Sequence, residues 1–160
     1  VLQNRPNAHA VVCGTGDAGY MKRLVEIVDK FGVAERFHWL GYRADALDVI
    51  QALDCFVMTS ATEGMPTTLL EAMSVYTPIA FLRGIGGLVD LDNINENKGP
   101  IAVVTDNVPQ LVTGVLGLLD DPVRAHALAQ KAHRVGAHYF DVSSVKDRLL
   151  AIYRGESSAL

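Results

Sequence analysis

The chemistry-bearing residues of this chain concentrate in one run, Glu63-Gly64-Met65-Pro66-Thr67-Thr68-Leu69-Leu70-Glu71. Gly64 gives the backbone freedom just ahead of a helix, and Pro66 fixes the entry to that helix, since proline is favoured at the first helical position. The N–H groups of Thr67 and Thr68 then have no partner inside the helix and carry the positive end of its dipole, which makes an anion site. Glu63 lies in the loop beyond that anion. Glu71 follows Thr67 by one turn and shares its face. A carboxylate accepts two hydrogen bonds from neighbouring hydroxyls, so the run could hold a diol, a diphosphate and a second diol in order. Taken singly, Glu71 reads as a solvated helix charge and Glu63 as a loop acid or capping residue; the combination reads as a site.

A second candidate is Gly14-Thr15-Gly16-Asp17-Ala18-Gly19, a G-x-G-x-x-G between an apolar run and a helical one. Such glycines permit a tight turn and let amides approach a phosphate. A dinucleotide site also wants an acid at the end of the next strand, but that strand ends Leu40-Gly41-Tyr42-Arg43, with Glu35 at its start. A turn needed only for packing remains an equal reading. His126, His133 and His138 lack the spacing of four that helical metal ligands prefer, and read as solvated or capping groups. Asp17, Asp90 and Asp92 could coordinate a cation. Cys13 and Cys55 sit in apolar runs and read as small buried hydrophobes.

These residues need elements to carry them. Ala8–Cys13 reads as a buried strand, Asp17–Phe31 as a helix with Met21, Leu24, Val25, Ile27, Val28 and Phe31 at helical spacing, and Arg36–Leu40 as a strand. A short helix over Asp45–Leu53, a strand over Asp54–Met58, a helix over Thr67–Val75 and strands over Pro78–Leu82 and Ile101–Val104 follow. Helices over Val108–Leu119, Pro122–Ala137 and Ser143–Tyr153 close the chain. This alternation predicts an α/β fold with a doubly wound, mostly parallel sheet of Rossmann-like type and extra C-terminal helices. Ligands of such sheets bind beyond the carboxyl ends of the strands. That rule selects the loops Gly14–Gly19, Gly41–Asp45, Thr59–Thr68 and Arg83–Asp90.

With 160 residues there is enough chain for one domain, and a net charge of −4 argues against a nucleic-acid surface. No apolar stretch is long enough to span a bilayer. The opening, Val1 to Pro6, has no charged n-region, apolar core or start methionine. The chain therefore reads as a piece of something longer, from a reducing cytosol.

The segment Glu63 to Met73 resembles the E-G-x-P-x-x-x-x-E-A-M signature of the retaining glycosyltransferases of family 4 (group 1), which have the two-domain GT-B architecture. The likeness covers nearly the whole chain: Ala10–Gly16 resembles the family's strand and glycine turn, Phe37–Tyr42 its "F-x-G-x" strand end, and Ala52–Ser60 its "A-D-x-F-V-x-P-S" strand with Thr59 in place of proline. Thr77–Ala80 and Gly86–Asp90 resemble its "T-P-V-V" and "G-G-x-x-E" segments. The resemblance implies that residues 1–154 are the donor-binding C-terminal domain, with residues 155–160 a frayed tail. It implies that Glu63 bonds the transferred sugar and helps stabilise charge at its reacting centre, that Glu71 holds the ribose, and that amides from Met65 to Leu69 hold the pyrophosphate and sugar. Tyr42 and Arg43 would lie against the base, and Gly14 and Gly16 would line the cleft floor.

Two departures stand out. The family's usual glycine before Thr77-Pro78 is Tyr76, and Asp90 replaces a glutamate. The family's diphosphate-neutralising arginine and lysine lie in the unit preceding Val1, so the chain alone is expected to bind nucleotide weakly and not to catalyse transfer. The resemblance implies no metal, and no cofactor beyond the substrate, a nucleoside diphosphate sugar such as a UDP- or GDP-sugar. The implied setting is cytoplasmic synthesis of cell-surface polysaccharide or glycolipid, with an N-terminal acceptor domain as partner, that domain giving peripheral membrane contact, and homodimerisation of the fragment left open. Three alternatives also stand open: a GT-B nucleotide-sugar epimerase, an NAD-binding dehydrogenase domain built on Gly14–Gly19, and a non-catalytic nucleotide-binding module.

Overall fold

The computed structural model describes residues 1–60, 63–83 and 99–155. Backbone contacts group these into two units, Val1–Asp48 and Val49–Leu160.

The first unit carries strand β1 (Ala10–Cys13), helix α1 (Ala18–Lys30), a 3₁₀ turn (Ala34–Arg36) and strand β2 (Phe37–Gly41). β1 and β2 pair in parallel, Ala10 opposite Phe37 and Val12 opposite Trp39, with an irregularity before Cys13 meets Gly41. Arg36 ties the opening segment to this pair, its Nη1 donating to the carbonyls of Leu2, Arg5 and Ala8 at 2.8, 2.9 and 3.2 Å. The reading of Ala8–Cys13 as a buried strand needs correction. Val12 is 37% exposed and Cys13 is exposed. Two strands and one long helix are too few to close every face, and on α1 only Val28 is buried.

The second unit holds strands β3 (Phe56–Met58), β4 (Ile79–Leu82) and β5 (Val103–Thr105) in that order, all parallel. β4, the central strand, is the most buried, as a strand paired on both edges should be. Helix α2 (Ala46–Gln51) bridges the two units in sequence, α3 (Thr67–Ser74) lies between β3 and β4, and α4 (Val108–Asp120), α5 (Pro122–Tyr139) and α6 (Val142–Tyr153) follow β5. The core gathers Ile50, Met58, Leu69, Met73, Ile79, Phe81, Ile101 and Val135. Its one buried polar residue among those described is Thr77, whose hydroxyl donates to the Ile50 carbonyl at 2.8 Å. The parallel α/β order matches the sequence expectation; the strands are shorter, and the last begins two residues later than the apolar run, because Ile101 and Ala102 are buried before the ladder starts. The anticipated Arg83–Asp90 loop, beyond Arg83, and the tail beyond Gly155 lie outside the described residues.

Helix α4 packs on β4 and β5, and it comes closest at a glycine. A Cβ on Gly114 would stand 2.4 Å from Val103 Cγ1, whereas one on Gly117 would meet nothing nearer than 3.7 Å. Helix propensity alone favours alanine over glycine at both positions by about 1 kcal/mol. Packing should reverse the sign at one of them: Gly114→Ala is expected to lose about 1–3 kcal/mol in urea unfolding through overpacking, while Gly117→Ala gains up to about 1 kcal/mol.

Candidate functional site

Helix α3 begins without the device that closes the other long helices. Asp17 caps α1, Asn107 α4, Asp121 α5 and Asp141 α6, each accepting from a first-turn amide. The cap residue of α3 is Pro66, with φ −71° and ψ 115° and no side-chain oxygen. Pro66 stands just before the first helical residue, as a helix starting at Thr67 requires, and its fixed φ suits extended backbone there; Pro122 takes the first helical position in α5. The Leu69 N–H returns to the Pro66 carbonyl at 3.1 Å. Among the described residues the N–H groups of Thr67 and Thr68 have no acceptor. Both threonines are exposed, whereas Leu69, Ala72 and Met73 on the opposite face are almost completely buried.

Two carboxylates flank these amides in sequence. Glu63 and Glu71 are half-buried, and neither side chain has a hydrogen bond or ion pair among the described residues. Gly64 is not among the glycines of positive φ, and a Cβ there would meet nothing within 4 Å. Its lack of a side chain keeps the approach to the helix open and is not used for a turn. Met65 is 37% exposed. Ala61 and Thr62, just before Glu63, lie outside the described residues. The described part of the run thus presents two unsatisfied donors and two carboxylates with free lone pairs, which suits a polyhydroxylated anion.

The glycine turn of the first unit is arranged differently. Gly14 has φ 128° and donates to the Gly41 carbonyl at 2.8 Å, and Gly41 itself has φ 64°. Asp17 Oδ1 accepts from the Gly19 and Tyr20 N–H groups at 2.9 and 3.0 Å. The Gly19 and Tyr20 amides are therefore taken by a carboxylate. A Cβ on Gly16 would lie 3.4 Å from the Met21 sulfur and from Tyr20 Cδ1, an ordinary contact distance. Tyr42 is 79% exposed. The Arg43 guanidinium forms a two-pronged pair with Asp45, Nε to Oδ1 at 2.7 Å and Nη2 to Oδ2. Hydrogen bonding to Asp45 raises the Arg43 pKa, and the bond from Arg43 holds the Asp45 carboxyl below its ordinary value. The pair persists at neutral pH and is lost only as pH falls through that lowered value. The pair occupies the Nε and Nη2 edge of the Arg43 guanidinium and leaves Nη1 without a partner among the described residues.

The ending of α3 escaped the motif reading. His133, on α5, places Nδ1 3.2 Å from the carbonyls of both Met73 and Ser74 at the last turn of α3, and its ring stacks on Tyr76 at 3.9 Å. The expectation of a capping histidine holds at this position; the helix it caps is not its own. Among the described residues no three histidine, cysteine or acidic groups cluster to hold a metal, and no helix is long and apolar enough to cross a membrane. Asp90 and Asp92 lie outside the described residues.

The family model for glycosyl transferases group 1 matches residues 1–135. The chain belongs to that family. It is 25% identical over 156 residues to a lipopolysaccharide core biosynthesis mannosyltransferase of Rhizobium meliloti, covering 96% of this chain and 44% of the relative. In fold, this group 1 chain superposes on the Anabaena protein HepE in complex with UDP with a TM-score of 0.81 at 22% identity, over 94% of this chain and 42% of that one. It also matches a crystallised C-terminal domain of a group 1 family protein from Francisella tularensis, TM-score 0.71 at 23% identity, over 88% and 74% of the two chains. The chain spans less than half the length of the mannosyltransferase and of HepE, and the matches fall in the C-terminal half of such relatives. The fold is that of the C-terminal domain of GT-B glycosyltransferases.

The two thiols of this group 1 domain differ in surroundings. Cys13, expected to be buried, is exposed, because among the described residues β1 pairs with β2 alone. Cys55 is half-buried, and burial with the nearby Asp54 charge pushes its thiol up to about 12. Since the thiolate is the nucleophile, an aromatic disulfide reagent at pH 8 should titrate Cys13 first and leave Cys55 unreacted until the protein is denatured. Equal rates for the two, read by mass spectrometry, would contradict this burial pattern.

Proposed function

We propose that the chain is the donor-binding half of a retaining glycosyltransferase, taking a nucleoside diphosphate sugar. The observation that carries this reading is the uncapped start of α3. Thr67 and Thr68 offer free amides to a diphosphate, and Glu63 and Glu71 retain every acceptor lone pair for hydroxyl groups on either side of it. Glu71 is assigned the ribose, Glu63 the transferred sugar and its developing charge, and the amides from Met65 to Leu69 the pyrophosphate and sugar. Family resemblance alone assigns Tyr42 and Arg43 to the base and Gly14 and Gly16 to the cleft floor. HepE, solved with UDP, supports a uridine nucleotide as the first to test. Polysaccharide or glycolipid synthesis in the cytoplasm, possession of an acceptor domain and transfer of a hexose are parts of the same proposal, supported by the lipopolysaccharide role in the name of the Rhizobium relative.

Chemically, transfer from such a donor asks the protein to steady a departing diphosphate and to place the sugar carbon for attack. Oriented amides at a helix start accomplish the first without reorganising as charge develops. A carboxylate gripping the sugar hydroxyls accomplishes the second. The full parent would add cations; this domain supplies dipoles and acids.

Two measurements test the assignment. Millimolar UDP should raise the melting temperature more than uridine does, since only a ligand of the native state can do so, and Glu71→Ala should weaken UDP more than it weakens inorganic diphosphate. Thr67→Pro is the sharper probe. Proline is tolerated at a first helical position, and Pro66 already has the extended ψ required of a residue before proline. The variant should keep its melting temperature while losing roughly tenfold in UDP affinity, the worth of one hydrogen bond to a charged group. Unchanged UDP affinity in both variants would remove the diphosphate from α3.

A further inference from the structure

The two ends of α3 are unusual in opposite ways. At its far end Tyr76 is, among the described residues, the single non-glycine with positive φ, 59°. The hydrogen bonds identify the reason. The Thr77 N–H reaches back to the Ala72 carbonyl at 3.0 Å and the Tyr76 N–H to Met73 at 3.4 Å. That is the Schellman pattern of helix ending, whose left-handed residue is ordinarily glycine because a Cβ there crowds the following carbonyl. A tyrosine in this place must be held by something outside the turn.

The holder is α5. The Tyr76 ring lies on the His133 imidazole with centroids 3.9 Å apart and planes 19° from parallel. His133 Nδ1 faces two carbonyls, Met73 and Ser74, each at 3.2 Å. Both are acceptors, so Nδ1 carries the proton and donates to them. Ser74 is the last residue of α3, and its carbonyl has no acceptor role in the Schellman pair. One turn further along α5, Gly136 faces Met73, where a Cβ would stand 3.4 Å from Met73 Cβ and Cε, an ordinary contact distance. The imidazole and the tyrosine ring together make a directional fastening of the end of α3 to α5.

We propose that His133 and Tyr76 are positioning residues for the start of α3. Apolar burial of Leu69, Ala72 and Met73 holds the helix down but is non-directional, so it does not set the helix along its own axis. The imidazole-to-carbonyl bonds do. A helix of eight residues is a rigid body about 12 Å long, so what fixes its last turn also fixes the amides of Thr67 and Thr68. This inference rests on the donor-site reading of α3 for its consequence in binding, but the placement of the two amides can be observed without ligand.

The experiment compares wild type with Tyr76→Gly, His133→Phe and His133→Asn by amide NMR, melting temperature and UDP titration. Tyr76→Gly puts at the left-handed position the residue that favours it, so the variant folds with an equal or higher melting temperature. His133→Phe keeps a stacking ring and deletes the donor; His133→Asn restores a donor of similar reach. The Thr67 and Thr68 amide resonances should shift in Tyr76→Gly and His133→Phe, UDP affinity should fall roughly three- to tenfold in both, and His133→Asn should recover most of each change. Unmoved Thr67 and Thr68 resonances in folded Tyr76→Gly and His133→Phe would overturn the proposal whether or not UDP binds, as would changes in melting temperature alone. A wild type that fails to bind UDP, with the resonances shifting as expected, would count against the donor site and for the fastening.

Discussion

A helix capped by proline has no side-chain oxygen to give the amides of its first turn, and α3 begins with that deficit. Unpaired amides are tolerable only where something polar can reach them. Thr67 and Thr68 are exposed, while the opposite face of α3 is among the most deeply buried surface in the chain. The helix is therefore secured by its side and its far end, and its near end is left to whatever approaches from outside. Helices α1, α4, α5 and α6 solve the same problem internally with aspartate or asparagine. The contrast is chemical and lies in a single side chain at each start.

Parallel strands make this useful. β3, β4 and β5 all end at the same edge of their ladder, so the segments leaving Met58, Leu82 and Thr105 emerge together. Arg83 and Asp106 join two of these exits, Arg83 N–H to the Thr105 carbonyl and Nε to Asp106 at 2.8 Å. Asn107 then closes α4, leaving α3 as the open helix start of this unit that has a known cap residue without a side-chain bond. The carboxyl-edge rule for α/β sheets thus acquires a local cause: the edge collects the loops, and capping chemistry decides which of them stays available.

Much of this was legible in the residues. The order of strands and helices followed from periodicity, and the Glu63–Glu71 run was visible because glycine, proline, threonine and acid occur there in a fixed sequence. What was not legible depended on contacts distant in the chain. The Gly14–Gly19 pattern is indistinguishable on paper from a phosphate cradle; only the geometry shows Asp17 occupying its amides. Cys13 looks like a core residue by its neighbours in sequence, yet burial depends on how many strands flank β1. Tyr76 was noticeable as a departure, but its partner lies 57 positions further on, in His133, and no local rule joins them.

The contact of α4 with β5 has a further consequence for how this domain can vary over time. Because Gly114 faces Val103 across a gap that admits no methyl group, the helix position is not free to enlarge by itself. Enlarging the helix residue demands a smaller strand residue, so a lineage that enlarges the first without reducing the second would record a displaced helix.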